Sequence, residues 1–413
     1  MKRPPFTQGT LPNGLRWIHQ QVASPAGHVG LVIQAGSRDE SDPKDEGLAH
    51  FIEHMMFKGT TKRKAFHVLS RVESVGGELN AYTSKEDTSI YASFLKTHYS
   101  RAMELLMDVI QNATYPDKEI PKEQDVILDE IDAYKDQPAE MLFDGFDQLL
   151  FPDHALGRNI LGTEQTVKSF NREDIMRFTQ AFYHPERAVL SSVGGISPER
   201  FERLAMKFAS DWTANSKAPV RLPAPAVQVT NRTTKRTISQ SHVILGGQAL
   251  PVDHDQLPTL VLMNNLLGGP AMNSRLNLNI RERHGIAYHI ESFLHPMSDT
   301  GIWGIYAGTD ADNMDRCIQL ILQELHKLRN QSLGVVQLSL AKTQLLGQMA
   351  LSQESNGTLM TSLGKSLLSL GRVDSFDAIK NHVNSITASD IMDMANRIHH
   401  PDSISQLMYL PKN

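Results

Sequence analysis

Cysteine is almost absent, and Cys317 stands alone. A single thiol excludes an intramolecular disulfide and a cysteine-built zinc site, and it suits a reducing compartment. No window approaches the roughly 20 apolar residues of a membrane-spanning helix. The opening stretch, MKRPPFTQGTLPNGLRW, has Lys2 and Arg3 but then prolines and polar residues where a signal peptide carries its apolar segment. Excess positive charge is missing too: 41 Lys and Arg against 46 Asp and Glu leave a formal charge of −5. That balance gives no electrostatic reason to expect nucleic acid or a membrane as partner. The expected location is the cytoplasm. With 40% hydrophobic and 21% charged residues the composition is that of a globular protein, and 413 residues exceed one hydrophobic core.

The chain carries an internal repeat. Residues 166–194 align without gaps, at an offset of 216, with residues 382–410. Identities include Val167 with Val383, Ser169 with Ser385, Asp-Ile-Met at 174–176 with 390–392, and His184-Pro185 with His400-Pro401. Both copies read as a helix, a turn at His-Pro and a closing strand. Between the halves, residues 213–237 are rich in Pro, Ala and Thr with no helical period, a linker plus an entering strand. The expected domains are therefore 1–212 and 238–413. Each half opens with strands and continues with amphipathic helices, and GGELNAYTSKEDTSIYASFL (76–95) reads as a hairpin. This pattern predicts an α+β fold of two homologous halves, each an antiparallel sheet packed with helices.

The stretch GLAHFIEHMMFKGT (47–60) places His50, Glu53 and His54 inside a run that otherwise reads as core. A buried carboxylate is costly unless paired, and a metal ion is one such partner. On a helix, His50 and His54 share one face at i and i+4, and Glu53 sits beside them. His-x-x-Glu-His is the inverted zinc-peptidase spacing. Catalytic zinc needs a third protein ligand and an open position. PKEQDVILDEIDAYKDQP (121–138) supplies one: Val126, Ile127, Ile131 and Tyr134 mark an apolar stripe, and Glu123 and Glu130 fall on it. Glu130 is assigned as third ligand and Glu123 as the carboxylate that orients a ligand histidine. Manganese and cobalt suit these ligand types as well. At the repeat offset His50–His54 falls on LLGGP (266–270) and Glu130 on Leu346, so the second half has no equivalent cluster.

The motifs LPNGLRW, AGSRDE, GLAHFIEHMMFKGT, GGELNAYTS and EQDVILDEI together resemble the pitrilysin-type zinc peptidases, which include insulin-degrading enzyme and the mitochondrial processing peptidase. The size and two-fold repeat resemble the short, processing-peptidase-like branch. The resemblance implies one Zn2+ per chain on His50, His54 and Glu130, with Glu53 as the base and Glu123 in support. It also implies that Arg281 and Tyr288 contact the substrate backbone. SRLNLNIRERHGIAYHIESF (274–293), which carries them, reads as a helix capped by Gly285 and then a strand. The implied assembly is a clamshell dimer in which the zinc domain of one chain faces the second half of the other. A homodimer is the simplest arrangement, and an inactive heteropartner is the alternative.

The expected function is endopeptidase cleavage of unfolded or extended peptides in a closed chamber. Asn80, Ala81 and Tyr82, on the hairpin's first strand, are the expected peptide-pairing residues. The alternatives are a non-catalytic peptide-binding or scaffolding subunit and a zinc-stabilised structural domain.

Overall fold

The computed structural model describes residues 6–214 and 219–412. Residues 1–5, residues 215–218 of the expected linker, and residue 413 lie outside the described residues. The first half of the chain runs β1 (Thr7–Thr10), β2 (Arg16–Gln21), β3 (Ala26–Ile33), α1 (Leu48–Met56), α2 (Ala65–Glu73), β4 (Glu78–Thr83), β5 (Thr88–Leu95), α3 (Tyr99–Asn112), α4 (Ile120–Lys135), α5 (Pro138–Leu150), α6 (Glu164–Ser169), α7 (Arg172–Phe182), β6 (Ala188–Gly194) and α8 (Pro198–Ala209). The second half runs β7 (Asn231–Arg236), β8 (Ser241–Gln248), α9 (Leu257–Gly268), β9 (Ala287–Pro296), β10 (Gly301–Thr309), α10 (Met314–Asn330), α11 (Val335–Ser352), α12 (Asn356–Leu370), α13 (Phe376–Ser385), α14 (Ala388–Ile398) and β11 (Ser405–Pro411).

One sheet has the order β1-β2-β6-β3-β5-β4 and the other β7-β11-β8-β10-β9. Apart from β1, which has no counterpart among the described residues, replacing β2, β6, β3, β5 and β4 by β7, β11, β8, β10 and β9 turns one order into the other. The repeat is therefore architectural, and α7 and α14 match at the offset of 216 residue for residue. The sheets are not purely antiparallel, because β2 pairs with β6, and β7 with β11, in parallel. The offset slips between β8 and β9: the loop before α9 is shorter than the loop before α1, so the counterpart of α1 is α9 rather than residues 266–270. No His, Asp or Glu occurs in α9.

The two compact units are not the contiguous halves 1–212 and 238–413. Leu351–Val373 belongs with the first unit, and Ala133–Arg158 with the second. In the first unit α12 lays Leu359, Met360, Leu363 and Leu367 over Ile18, Val189 and Val193 of β2 and β6. In the second, α5 packs Leu142, Phe146, Leu149 and Leu150 with Ile244, Leu407 and Tyr409 of β8 and β11. An amphipathic stripe shows that a helix covers a sheet, but it carries no sign of which copy of a duplicated sheet it covers. Central strands are consequently covered on both faces, and β6 is buried along its whole length. The opposite face of the first sheet holds the larger core, with Val29, Leu31 and Ile33 against Phe51, Ile52 and Met55 of α1.

The AGSRDE segment clamps the turn between β4 and β5. Ser37 and Arg38 donate backbone N–H groups to the carbonyls of Ser84 and Lys85 at 3.2 and 2.8 Å. Any Cβ at Gly36 would collide with the Ser84 carbonyl oxygen, which explains the glycine. Arg221, early in the linker, makes a two-pronged pair with Asp39 at 2.9 and 2.7 Å and so fixes the start of the linker to this unit.

Candidate metal centre

α1 is set by its N-terminus and by its apolar face. Gly47 turns into the helix at φ 93°, in the left-handed region open to glycine. The wholly buried Glu40 carboxylate accepts hydrogen bonds from the backbone N–H groups of Gly47 and Ala49 at 3.0 and 2.9 Å. A carboxylate there answers otherwise unpaired donors and the positive end of the helix. Leu48, Phe51, Ile52, Met55 and Met56 are buried, which turns His50, Glu53 and His54 to the remaining face.

α4 brings its carboxylates to that face. Glu123, Ile127 and Ile131 turn inward, as read from the sequence, whereas Val126 is 49% exposed and lies off the stripe. The side chain of Glu130 is 46% exposed, so it sits at the stripe's margin rather than within it. From there its Oε2 lies 3.9 Å from His50 Nε2 and 3.8 Å from His54 Nε2. All three donor atoms lie within 4.8 Å of one another. Nitrogen and oxygen ligands at about 2.0–2.2 Å from a tetrahedral zinc sit about 3.3–3.5 Å apart, so the two Glu130 distances exceed ligand spacing by about half an ångström. His50 is held neutral, its pKa lowered to about 4 by burial and then by the neighbouring His54, which keeps a lone pair ready for a cation. Two imidazoles, one carboxylate and a near-ligand spacing fit a divalent metal.

Two further groups secure the cluster. Glu123 Oε2 lies 3.3 Å from His54 Nδ1, and its Oε1 is 2.5 Å from Lys58 Nζ. Sequence reasoning found Glu123 but missed Lys58, although Lys58 stands one helical turn beyond His54. Glu53 is raised above the usual carboxyl range by burial, and Thr83 and His54 offset part of that rise. The Thr83 hydroxyl donates to Glu53 Oε2 at 2.6 Å. Glu40 and Thr83 were missed as well, though both lie inside motifs singled out in the sequence.

The remaining sequence-derived residues lie elsewhere on the chain. Asn80, Ala81 and Tyr82 are on β4, the last strand of its sheet, with one edge free of pairing among the described residues. Arg281 lies in a π-helical turn, Asn277–Glu282, and Gly285 at φ 65° ends it before β9, as the sequence indicated. Tyr288 is 57% exposed, and its hydroxyl donates to the carboxylate of Asp310 at 3.0 and 3.1 Å. That bond raises the phenol's pKa. Both residues belong to the second unit, whereas the metal cluster belongs to the first. Among the described residues no helix is long and apolar enough to cross a membrane.

Comparison with known proteins puts the metal cluster and the Arg281–Tyr288 pair in two separate family matches. Residues 18–164 match the family described as Insulinase (Peptidase family M16), and residues 169–345 match the Peptidase M16 inactive domain. An uncharacterized zinc protease of Bacillus subtilis is 34% identical over 396 residues, 95% of each chain. A protein of Arabidopsis thaliana named "Probable mitochondrial-processing peptidase subunit beta" is 32% identical over 402 residues, 94% of this chain and 75% of that one. A crystallised protease from Helicobacter pylori has TM-score 0.91 at 20% identity, covering 99% of this chain and all of that one (100%). A crystallised M16 inactive domain from Pseudomonas fluorescens has TM-score 0.92 at 17% identity, covering 99% and 98%. These two likenesses show the shared fold. The sequence agreement with the Bacillus protein, running through both halves, makes this chain a member of peptidase family M16.

Proposed function

We propose that the protein is a zinc-dependent endopeptidase that hydrolyses extended, unfolded peptides. The observation that carries this reading is the convergence of His50, His54 and Glu130 beside a buried carboxylate, Glu53, that holds no ligand position. His50, His54 and Glu130 would hold the metal, and Glu123 and Lys58 would orient His54. A bound zinc would polarise the scissile carbonyl and bring the pKa of a water toward about 7. Glu53 takes the proton of the attacking water and passes it to the leaving amine. Its burial suits this task, since a carboxyl raised above its usual range is a better match for a proton shuttle near neutral pH. The free edge of β4 would pair with the peptide backbone, with Asn80, Ala81 and Tyr82 alongside. A non-catalytic scaffold would have no need of Glu53, and neither would a structural zinc site.

We further propose a cytoplasmic homodimer with composite sites in a closed chamber. Support comes from one chain carrying both the metal cluster and the Arg281–Tyr288 pair, and from its single cysteine. Tyr288 would then leave Asp310 to share the charge of the oxyanion. A different, inactive partner chain is the competing arrangement.

The test is hydrolysis of an unstructured peptide library by metal-loaded protein, beside E53Q and a chelated sample. Cleavage lost in both controls supports the endopeptidase, and cleavage by E53Q contradicts it. For the dimer, mixing E53Q with Y288F under subunit exchange should restore activity at about a quarter of the sites. Exchange without recovery rules out sites shared across chains.

A further inference from the structure

Thr83 ends β4, on the strand face that also carries Leu79 and Ala81, both packed on the core beneath α1. Period-two alternation thus sends Asn80 and Tyr82 to one side of the strand and Thr83 to the side where α1 presents Glu53. The Thr83 hydroxyl donates to Glu53 Oε2 at 2.6 Å, shorter than an ordinary neutral hydrogen bond and typical of a hydroxyl on a carboxylate. Among the described residues Thr83 is therefore the donor that fixes how Glu53 is turned.

The strand end is itself held. Thr83 is in register with Thr88 of β5, and the Thr88 hydroxyl donates to Ala35 O at 2.8 Å. The turn that follows is gripped by the backbone of Ser37 and Arg38, and Arg38 pairs with Glu86 at 2.6 Å. Lys365 of α12 adds an ion pair to Asp87 at 2.9 Å from within the same unit. A donor on a strand fixed from three directions is preorganised rather than recruited.

We propose that Thr83 is a positioning residue that pins one oxygen of Glu53, leaving Oε1 to receive the proton of the attacking water. Without the pin, a short carboxylate side chain rotates between orientations that only sometimes present an oxygen to the water. Because β4 would also pair with the substrate, the strand that docks the peptide is the strand that aims the base. This inference rests on the endopeptidase reading and adds to it the control of the base.

The experiment compares T83V, nearly isosteric but without the hydroxyl, with T83S, which keeps it. In T83V kcat should fall by about 10-fold or more with KM within about twofold, and T83S should recover most of the loss. Zinc content and melting temperature should match the wild type in both. Crystal structures of the three zinc-loaded proteins give a readout that needs no turnover. They should show the Glu53 carboxylate in one orientation in the wild type and T83S, and in another or in several in T83V. An unchanged Glu53 in T83V, or a T83S protein as slow as T83V, would overturn the positioning role. If E53Q abolishes cleavage while T83V does not, the inference fails alone. If E53Q cleaves normally, the endopeptidase reading fails, and the orientation of Glu53 in T83V still decides whether Thr83 pins it.

Discussion

The two halves keep the same sheet order and differ in what their first helices carry. α1 places His50, Glu53 and His54 beside its buried Leu48, Phe51, Ile52 and Met55, whereas α9 keeps Leu260, Leu262, Met263 and Leu267 and has no His, Asp or Glu. α1 is entered through Gly47 and held by the Glu40 carboxylate, while α9 starts with a proline in its first turn and no side-chain cap. Further along, Glu130 of α4 matches Leu346 of α11. The fold is thus satisfied by the apolar positions alone. A cluster of partly buried titratable groups that the second copy does without is not required by the architecture.

The strongest way to break this contrast is to give the first half the residue of the second. E130L should release the metal and reduce peptide cleavage to that of the chelated protein, read by zinc content and turnover together. The reverse exchange, L346E, should leave zinc at the wild-type level, because α9 offers no histidines to join it. Normal zinc content in E130L would remove Glu130 from the ligand set.

A smaller effect should follow from E123Q. The amide keeps an acceptor toward His54 Nδ1 but loses the charge paired with Lys58, so metal affinity should weaken by about 10–100-fold while saturating zinc restores most activity. Competition with a chromophoric chelator measures the shift. An unchanged affinity would reduce Glu123 to a structural ion pair.

The last effect, on stability and absent at neutral pH, concerns a position that carries no chemistry in either copy. Tyr183 and His399 match at the repeat offset, and His399 packs its ring 4.4 Å from Trp303 with its pKa lowered to about 3 by burial and then by Arg329. The native state resists protonation there, so the unfolded chain takes up the proton first as pH falls below about 6.5. The stabilisation is complete above that pH and is lost toward pH 3, with a slope on the order of 1.4 kcal/mol per pH unit inside the window. H399Q should flatten the acid limb of thermal stability for the second unit. An acid limb identical to wild type would show that His399 does not contribute.

Much of the site was legible because its chemistry is local. The spacing of His50 and His54 makes sense only on a helix, and Glu123 with Glu130 only on a second one. What escaped were hydrogen bonds between distant segments. Thr83 and Glu53 are thirty residues apart on different element types, and Glu40 reaches the helix from a loop. Nothing in the residue pattern distinguishes such groups from ordinary polar side chains. The strand and helix sequence along the chain was readable from periodicity, and the exchange of α5 and α12 was not. Two copies of one sheet offer equivalent faces, and the choice between them is made in three dimensions.

Zinc-edge anomalous diffraction from crystals of the metal-loaded protein tests the central claim most directly. The account requires one strong peak per chain, bounded by His50, His54 and Glu130 and adjacent to Glu53, and none in the second unit. A peak elsewhere, or no peak after loading with zinc, would contradict it.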